Sequence, residues 1–403
     1  MVRINVIQKL VYPTPSKIIL LLIDGLGDIP SEEGGKTPLE AASIPNMDEL
    51  TKKGICGLMD PISTGITPGS GPSHLALFGY DPFKYDIGRG VLEALGIGLG
   101  MTKKDVATRA NFATINEEGI ITDRRAGRIS SEKCRELCEL LQARIKSIDD
   151  VEIVIKPGKE HRFVVLFRGE GLSDRISDTD PQKDGHPPKE PKSLHTEAKK
   201  TEKIVTEFTK RSAELLKSHH PSNFVLLRGF AKYPDIPSMN ELFKIRPAAI
   251  ATYPMYKGLA RLVGMEIIEC GETHKEEIKS LKENYPKYDF FYVHIKETDK
   301  AGEDGNFSSK TEVLEEVDRY IPEILKLKPE CFVITGDHST PCKLKSHSWH
   351  PNPLILYSQY CGADGVEKFC ERECVKGGLG RLDATELMPL MLANALKLKK
   401  YGA

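Results

Sequence analysis

Apolar and polar positions along the chain divide it into three stretches of different rhythm. In the first, residues 17–23 form a compact run, apolar throughout after Lys17, that ends in Asp24-Gly25-Leu26-Gly27-Asp28. A short run without polar alternation predicts a strand buried on both faces, with acidic and glycine residues at its carboxyl end. Residues 39–54 carry helical spacing, interrupted at Pro45. Residues 67–82 begin with a turn in which Ser70 sits among Pro68, Gly69, Gly71 and Pro72. Proline and glycine break helix interiors, so the pattern predicts a helix starting at Ser73, capped by that serine. Gly79-Tyr80-Asp81-Pro82 ends it.

The rhythm then changes. Residues 86–101 are glycine-rich and punctuated. Residues 109–114 and 119–123 predict a strand hairpin, 130–146 an amphipathic helix, and 151–155 and 162–167 two further strands. Residues 169–195 are polar and contain four prolines, which predicts a long exposed loop. A helix over 197–219 and a strand over 223–227 follow.

After a Gly/Pro/polar crossing at residues 229–242, helices and strands alternate again. Apolar runs near 248–252, 265–269, 289–295, 331–335 and 354–357 predict strands. Helical spacing over 256–263, 275–283, 308–327 and from 385 onward fills the gaps. Such alternation implies an α/β fold with a mostly parallel sheet and helices on both faces. The middle, with its adjacent strands, reads as a smaller inserted domain. The expected division is 1–80, 81–240 and 241–403, the first and last forming one domain.

Composition narrows the class. The chain has 403 residues, 39% hydrophobic and 29% charged, with a formal net charge of −1. No overall field draws it to nucleic acid or to a membrane. No apolar run approaches the length of a membrane span, and residues 1–15 lack a signal-peptide core. The nine cysteines contain no Cys-x-x-Cys pair, so a reducing cytoplasm is expected.

Three predicted strand ends deliver ligand-type residues. They are Asp24, the segment His294-Ile295-Lys296-Glu297-Thr298-Asp299, and Thr335-Gly336-Asp337-His338-Ser339-Thr340-Pro341 with His347 and His350 beyond it. Ends of parallel strands converge at one sheet edge, where sites of this fold class lie. Carboxylate and imidazole together suit Zn²⁺, Mn²⁺ and related cations. Ser70, ahead of a helix N-terminus, lies where an anion is favoured, and a serine there can attack a phosphate. In the insert, Arg124, Arg125 and Arg128 lie beside Asp123, and Arg168 ends a strand. Their forked donors suit carboxylate and phosphate. Lys257 and Arg261 are further candidates for the phosphate.

The whole set resembles the alkaline-phosphatase superfamily and, within it, the cofactor-independent phosphoglycerate mutases of the shorter, archaeal-type form. The resemblance spans nearly the entire chain. It is carried by Leu22-Ile23-Asp24-Gly25, Gly69-Ser70 with His74-Leu75-Ala76, Gly79-Tyr80-Asp81-Pro82, Asn111-Phe112-Ala113-Thr114, the 123–128 group, Arg168-Gly169-Glu170-Gly171, Ser177-Asp178-Thr179-Asp180-Pro181, Gly305-Asn306-Phe307, the 335–341 segment and Gly380-Arg381. It implies two divalent metals, drawn from Mn, Mg, Co and Zn. Asp24, Ser70, Asp337 and His338 would hold one. Asp299, Glu303 and His347 would hold the other. Glu303 stands where a histidine is usual, and Gly71-Pro72 where an acidic residue often follows the serine. The implied activity interconverts 3-phosphoglycerate and 2-phosphoglycerate through phosphoserine at Ser70, without 2,3-bisphosphoglycerate. Asp123 would move protons between the glycerate hydroxyls. Alternatives are a metal-dependent phosphatase of the same superfamily and a non-catalytic phosphometabolite-binding protein.

Overall fold

The computed structural model describes residues 4–32, 35–85 and 87–402. Asp86, where the glycine-rich stretch was expected to begin, lies outside the described residues. The chain divides into two compact units, Met1–Asp86 with Ile236–Ala403, and Ile87–Asp235.

The first unit is built on an eight-stranded mixed sheet. Strand Ile18–Ile23 lies near its centre, parallel to Phe290–Ile295 on one side and Cys331–Thr335 on the other. All six residues of Ile18–Ile23 are buried, which is why the run shows no polar alternation. Pro247–Ile250 and Glu266–Ile267 extend the parallel part past Phe290–Ile295. Beyond Cys331–Thr335 the sheet turns antiparallel at Asn352–Tyr357, followed by Ile55–Asp60 and Gly380–Asp383. One face packs Ile19, Leu21, Ile23, Phe291, Val293, Phe332 and Ile334 against apolar residues of helices Pro45–Lys53, His274–Asn284 and Phe307–Asp318. The register aligns Leu22 with His294 and with Thr335, so Asp24, Lys296 and Asp337 emerge at one edge.

Two boundaries differ from expectation. The helix near the serine starts at Ser70 itself, with Gly69 as its cap residue and no side-chain cap. Ser73 lies inside that helix, and its hydroxyl donates to the Ser70 carbonyl. Pro72 is accommodated because the first turn has no use for its missing N–H. The expected single helix over 308–327 is two, Phe307–Asp318 and Ile321–Leu325, the second with Pro322 in its first turn. A short helix, Glu297–Asp304, was not expected.

The second unit has a six-stranded sheet in which every pairing is antiparallel. Its long central strand, Asp105–Ile115, lies between Arg162–Arg168 and Phe224–Lys232. Helices Ser131–Arg144 and Lys199–Leu216 contribute to a core on one face, with Val106, Ala110 and Phe112. On the other, Ala94 of helix Arg89–Gly96 meets Ala107, Val164 and Leu166. No helix or strand occupies residues 169–195. Among the described residues no helix is long and apolar enough to cross a membrane, and all nine cysteines are free.

Candidate functional site

The sheet edge of the first unit gathers a dense set of buried polar groups. Asp24, Asp337 and His338 are fully buried. His338 Nε2 lies 3.2 Å from Asp24 Oδ1 and 3.2 Å from Asp337 Oδ2. None of these three atoms has a hydrogen-bond partner. Orphaned acceptors at such depth are costly unless something else satisfies them. Their ligand atoms converge closely enough for one cation. A second group, Asp299, His338 and His347, does so beside it. The imidazole rings of His338 and His347 stack at 3.6 Å. His347 Nδ1 is 3.0 Å from the Pro68 carbonyl, and its Nε2 is 3.7 Å from Asp299 Oδ1. The carbonyl accepts the ring proton, which leaves the Nε2 lone pair on the Asp299 side. Nitrogen and carboxylate donors in two adjoining groups fit two divalent cations.

The electrostatics point the same way. Burial opposes ionisation of Asp24, yet His294, His338 and the Lys296 ammonium hold its carboxyl well below the usual range. Burial, with Asp24 and Asp299 beside it, pushes Asp337 well above that range. Two carboxylates this close cannot both ionise without added positive charge. Burial lowers the pKa of His338, leaving it neutral and able to offer a lone pair. Lys296 lies 3.1 Å from Asp24 Oδ2 and also pairs with Asp299. Desolvation works against its charge, but the two carboxylates raise its pKa.

Ser70 joins this set through two side chains. His74 Nδ1 is 2.7 Å from the Ser70 carbonyl and 3.3 Å from Asp337 Oδ2. Burial pushes His74 down to about 3, so it stays neutral. The Tyr256 phenol interacts with the Asp24 and Ser70 side chains, and burial raises its pKa well above 10. It also accepts from Lys296 at 3.3 Å and packs against the His294 ring at 3.8 Å.

The other expected site residues make contacts of their own. Glu303 lies one turn after Asp299 but is exposed and outside both ligand groups. Lys257 pairs with Glu269 at 2.8 Å. Arg261 is half-buried on the same helix, Pro254–Leu262. In the second unit, Arg124 forks onto the buried Asp180 and Arg168 onto the buried Asp105. Asp123 accepts from the backbone N–H groups of Arg125 and Gly127. Arg125 and Arg128 are exposed.

A different cationic cluster was not expected. Register pairs Arg109 with Arg228 and Asn111 with Arg162 across the central strand. Burial, reinforced by Arg162, Arg89 and Arg228 against a partial offset from Glu93, pushes Arg109 down to about 10. Burial and the neighbouring Arg162, Arg109 and Arg125 hold His161 near 4. Arg109 Nε, Arg162 Nε and Asn111 Oδ1 are buried without partners. Mutually repelling guanidiniums with spare donors are the chemistry that suits an anion. Its members come from four separate segments, so no local motif announces it. His294, Lys296 and Thr340 lie within the strand-end segments expected to deliver ligands, but the sequence assigns none of them a role of its own.

Comparison with known proteins agrees with this geometry. Residues 51–223 match the family model described as 2,3-bisphosphoglycerate-independent phosphoglycerate mutase. A Thermotoga neapolitana protein, called a probable 2,3-bisphosphoglycerate-independent phosphoglycerate mutase, is 56% identical over 98% of both chains. An Aquifex aeolicus protein of the same description is 52% identical over 99% of this chain and 100% of its own. Among solved structures, the cofactor-independent phosphoglycerate mutase from Thermoplasma acidophilum is similar at TM-score 0.73 and 32% identity, covering 94% of this chain and 100% of that one. A Pyrococcus horikoshii protein is similar at TM-score 0.82 and 32% identity, covering 96% and 99%. The chain belongs to the cofactor-independent phosphoglycerate mutase family, isomerases with the alkaline-phosphatase superfamily fold.

Proposed function

We propose that this protein interconverts 3-phosphoglycerate and 2-phosphoglycerate through a phosphorylated Ser70, with no requirement for 2,3-bisphosphoglycerate. The reading rests above all on the His74 imidazole, whose Nδ1 lies within 2.7 Å of the Ser70 carbonyl and 3.3 Å of Asp337. One ring therefore separates the serine residue from the buried acidic group. The ligands assigned to one cation are Asp24, Ser70, Asp337 and His338; Asp299 and His347 are assigned to the other. Cations held there would neutralise phosphate charge and lower the pKa of the serine hydroxyl. Mn²⁺, Mg²⁺, Co²⁺ and Zn²⁺ all suit this nitrogen and oxygen donor set. Glu303, exposed, is left out of the proposed set.

The Ser70 hydroxyl gives up its proton and its oxygen attacks phosphorus, the bond from phosphorus to the C3 oxygen breaks, and that oxygen takes a proton. The C2 hydroxyl then loses its proton and its oxygen attacks the phosphoserine phosphorus, the bond from phosphorus to the Ser70 oxygen breaks, and that oxygen regains a proton. Tyr256 stays protonated and orients the serine oxygen. Between the two halves the glycerate must be retained and water kept away. Arg109, Arg162 and Arg228 are assigned its anionic groups. Arg125 and Arg128, both exposed, are assigned a supporting role. Lys257 and Arg261 are assigned to the phosphate. Asp123 is the assigned proton carrier: each oxygen accepts one backbone N–H and keeps a second lone pair. Nine free thiols fit a cytoplasmic setting.

The test is product analysis on chelator-treated protein with metals restored singly. Conversion of 3-phosphoglycerate to 2-phosphoglycerate without bisphosphoglycerate supports the reading. Inorganic phosphate released in step with substrate loss would identify a phosphatase instead. Inactivity with every metal would favour a binding protein.

A further inference from the structure

Thr340 lies between the two ligand groups and belongs to neither. It is fully buried. Its hydroxyl oxygen is 2.6 Å from Asp299 Oδ1 and 2.9 Å from His338 Nδ1. A hydroxyl has one proton to give. The shorter contact takes that proton: Thr340 Oγ1 donates to Asp299 Oδ1, whose carboxylate also pairs with the Lys296 ammonium. The lone pairs of Thr340 Oγ1 then face His338 Nδ1, and the contact is a hydrogen bond only if Nδ1 carries the ring proton. Nε2 is left bare. That is the nitrogen 3.2 Å from Asp24 Oδ1 and Asp337 Oδ2, without a hydrogen-bond partner.

The threonine is itself held firmly. Its backbone carbonyl accepts from Lys310 Nζ at 3.0 Å. Lys310 is completely buried and also donates to Asp28 Oδ2 at 2.9 Å and the Gly27 carbonyl at 3.2 Å. Asp28 in turn accepts from the Cys342 N–H at 3.1 Å. One lysine thus ties the loop after Asp24 to the loop after His338. There is no slack around the hydroxyl. A Cβ on Gly25 would lie 2.7 Å from Thr340 Oγ1, and one on Gly302 would lie 2.3 Å from the Thr340 carbonyl.

We propose that Thr340 is a positioning residue which, anchored by Lys310, locks His338 in the Nδ1–H form and so reserves Nε2 for the cation at Asp24 and Asp337. The same hydroxyl occupies Nδ1, so His338 serves that group alone and leaves Asp299 and His347 to the other. Imidazole ligands commonly need such an outer partner to fix their tautomer. The inference rests on His338 being a metal ligand. Its primary readout is taken on metal-free protein, so its failure is distinguishable from a failure to bind metal.

The test compares Thr340→Val, which keeps the shape and removes the hydroxyl, with Thr340→Ser, which keeps the hydroxyl. Nitrogen-15 histidine spectra of the metal-free wild type should show His338 protonated at Nδ1. Thr340→Ser should keep that form, and Thr340→Val should populate the Nε2–H form. In Co²⁺ titrations followed by visible absorbance, Thr340→Val should bind roughly 10–100-fold more weakly at one of two sites. Thr340→Ser should stay close to wild type. A wild-type His338 protonated at Nε2, or Thr340→Val binding Co²⁺ as the wild type does, would overturn the proposal.

Discussion

Glu277 offers a quantitative test of how the first unit accommodates buried charge. It sits on helix His274–Asn284, 2% exposed, with Oε2 unpartnered. Burial raises its carboxyl to about 8, with Glu297 and Glu316 adding to the effect and His274 opposing it. His274 lies 3.0 Å from Glu297 and 3.1 Å from Glu316, and its own pKa is raised by them against desolvation. The sign follows from proton counting. Between pH 4.5 and about 8 the unfolded chain has released the Glu277 proton and the folded chain retains it. The folded state then binds more protons, so stability falls as pH rises through that window. At about 1.36 kcal/mol per unit, the loss has a ceiling on the order of 5 kcal/mol. Glu277→Gln mimics the protonated side chain at every pH. Urea unfolding of both proteins across pH 5–8.5 is the assay. The variant should match the wild type near pH 5 and become progressively more stable above it, by several kcal/mol at pH 8. At roughly 2 °C per kcal/mol for a unit of about 250 residues, this is a melting difference near 10 °C. A pH-independent difference, or a variant less stable at pH 8, would refute the reasoning. His274 adds a trend of its own. Its raised pKa gives stability below about pH 6.5 that fades as pH rises through the folded value, and because Glu277 is one of the groups raising it, that trend is smaller in the variant.

Further predictions concern the ligands and the arginines. Asp337→Asn removes one of two buried carboxylates, so the metal-free variant should be at least as stable as wild type. It should lose one share of the metal-induced stabilisation, about 2.7 kcal/mol at a metal concentration 100 times Kd; denaturation with and without Mn²⁺ reads both. Arg124→Ala leaves the buried Asp180 with the Gln182 N–H but without its guanidinium, and should cost up to roughly 3–5 kcal/mol of stability, checked by urea unfolding. Arg109→Met and Arg228→Met should instead leave stability largely intact and weaken phosphoglycerate binding at least tenfold, read as KM and by isothermal titration.

The parts legible in the sequence are those encoded locally. Residues 18–23 announce a central strand because burial on both faces leaves no polar position in it, and Asp24 follows at once. Asp337-His338 does the same after Cys331–Thr335. The serine turn was legible, but its helix boundary was misread, because Pro72 looks like a break and is harmless in a first turn. Glu303 shows the limit of spacing. One helical turn after Asp299 places it on the same face, yet its side chain ends in solvent. The arginine cluster was illegible because strand register, not sequence proximity, sets Arg109 against Arg228 and Asn111 against Arg162. Arg124 and Arg168, expected at the substrate from their local sequence, each fork onto a buried aspartate that lies far from them in sequence.

The central claim is that Ser70 carries the phosphoryl group in transit. Metal-loaded protein mixed with 3-phosphoglycerate, quenched in acid within a turnover and mapped by peptide mass, tests it most directly. One added phosphoryl group on the peptide containing Ser70, absent from Ser70→Ala, is the predicted result. Full mutase turnover by Ser70→Ala, or a phosphoryl group found on another residue alone, would contradict it.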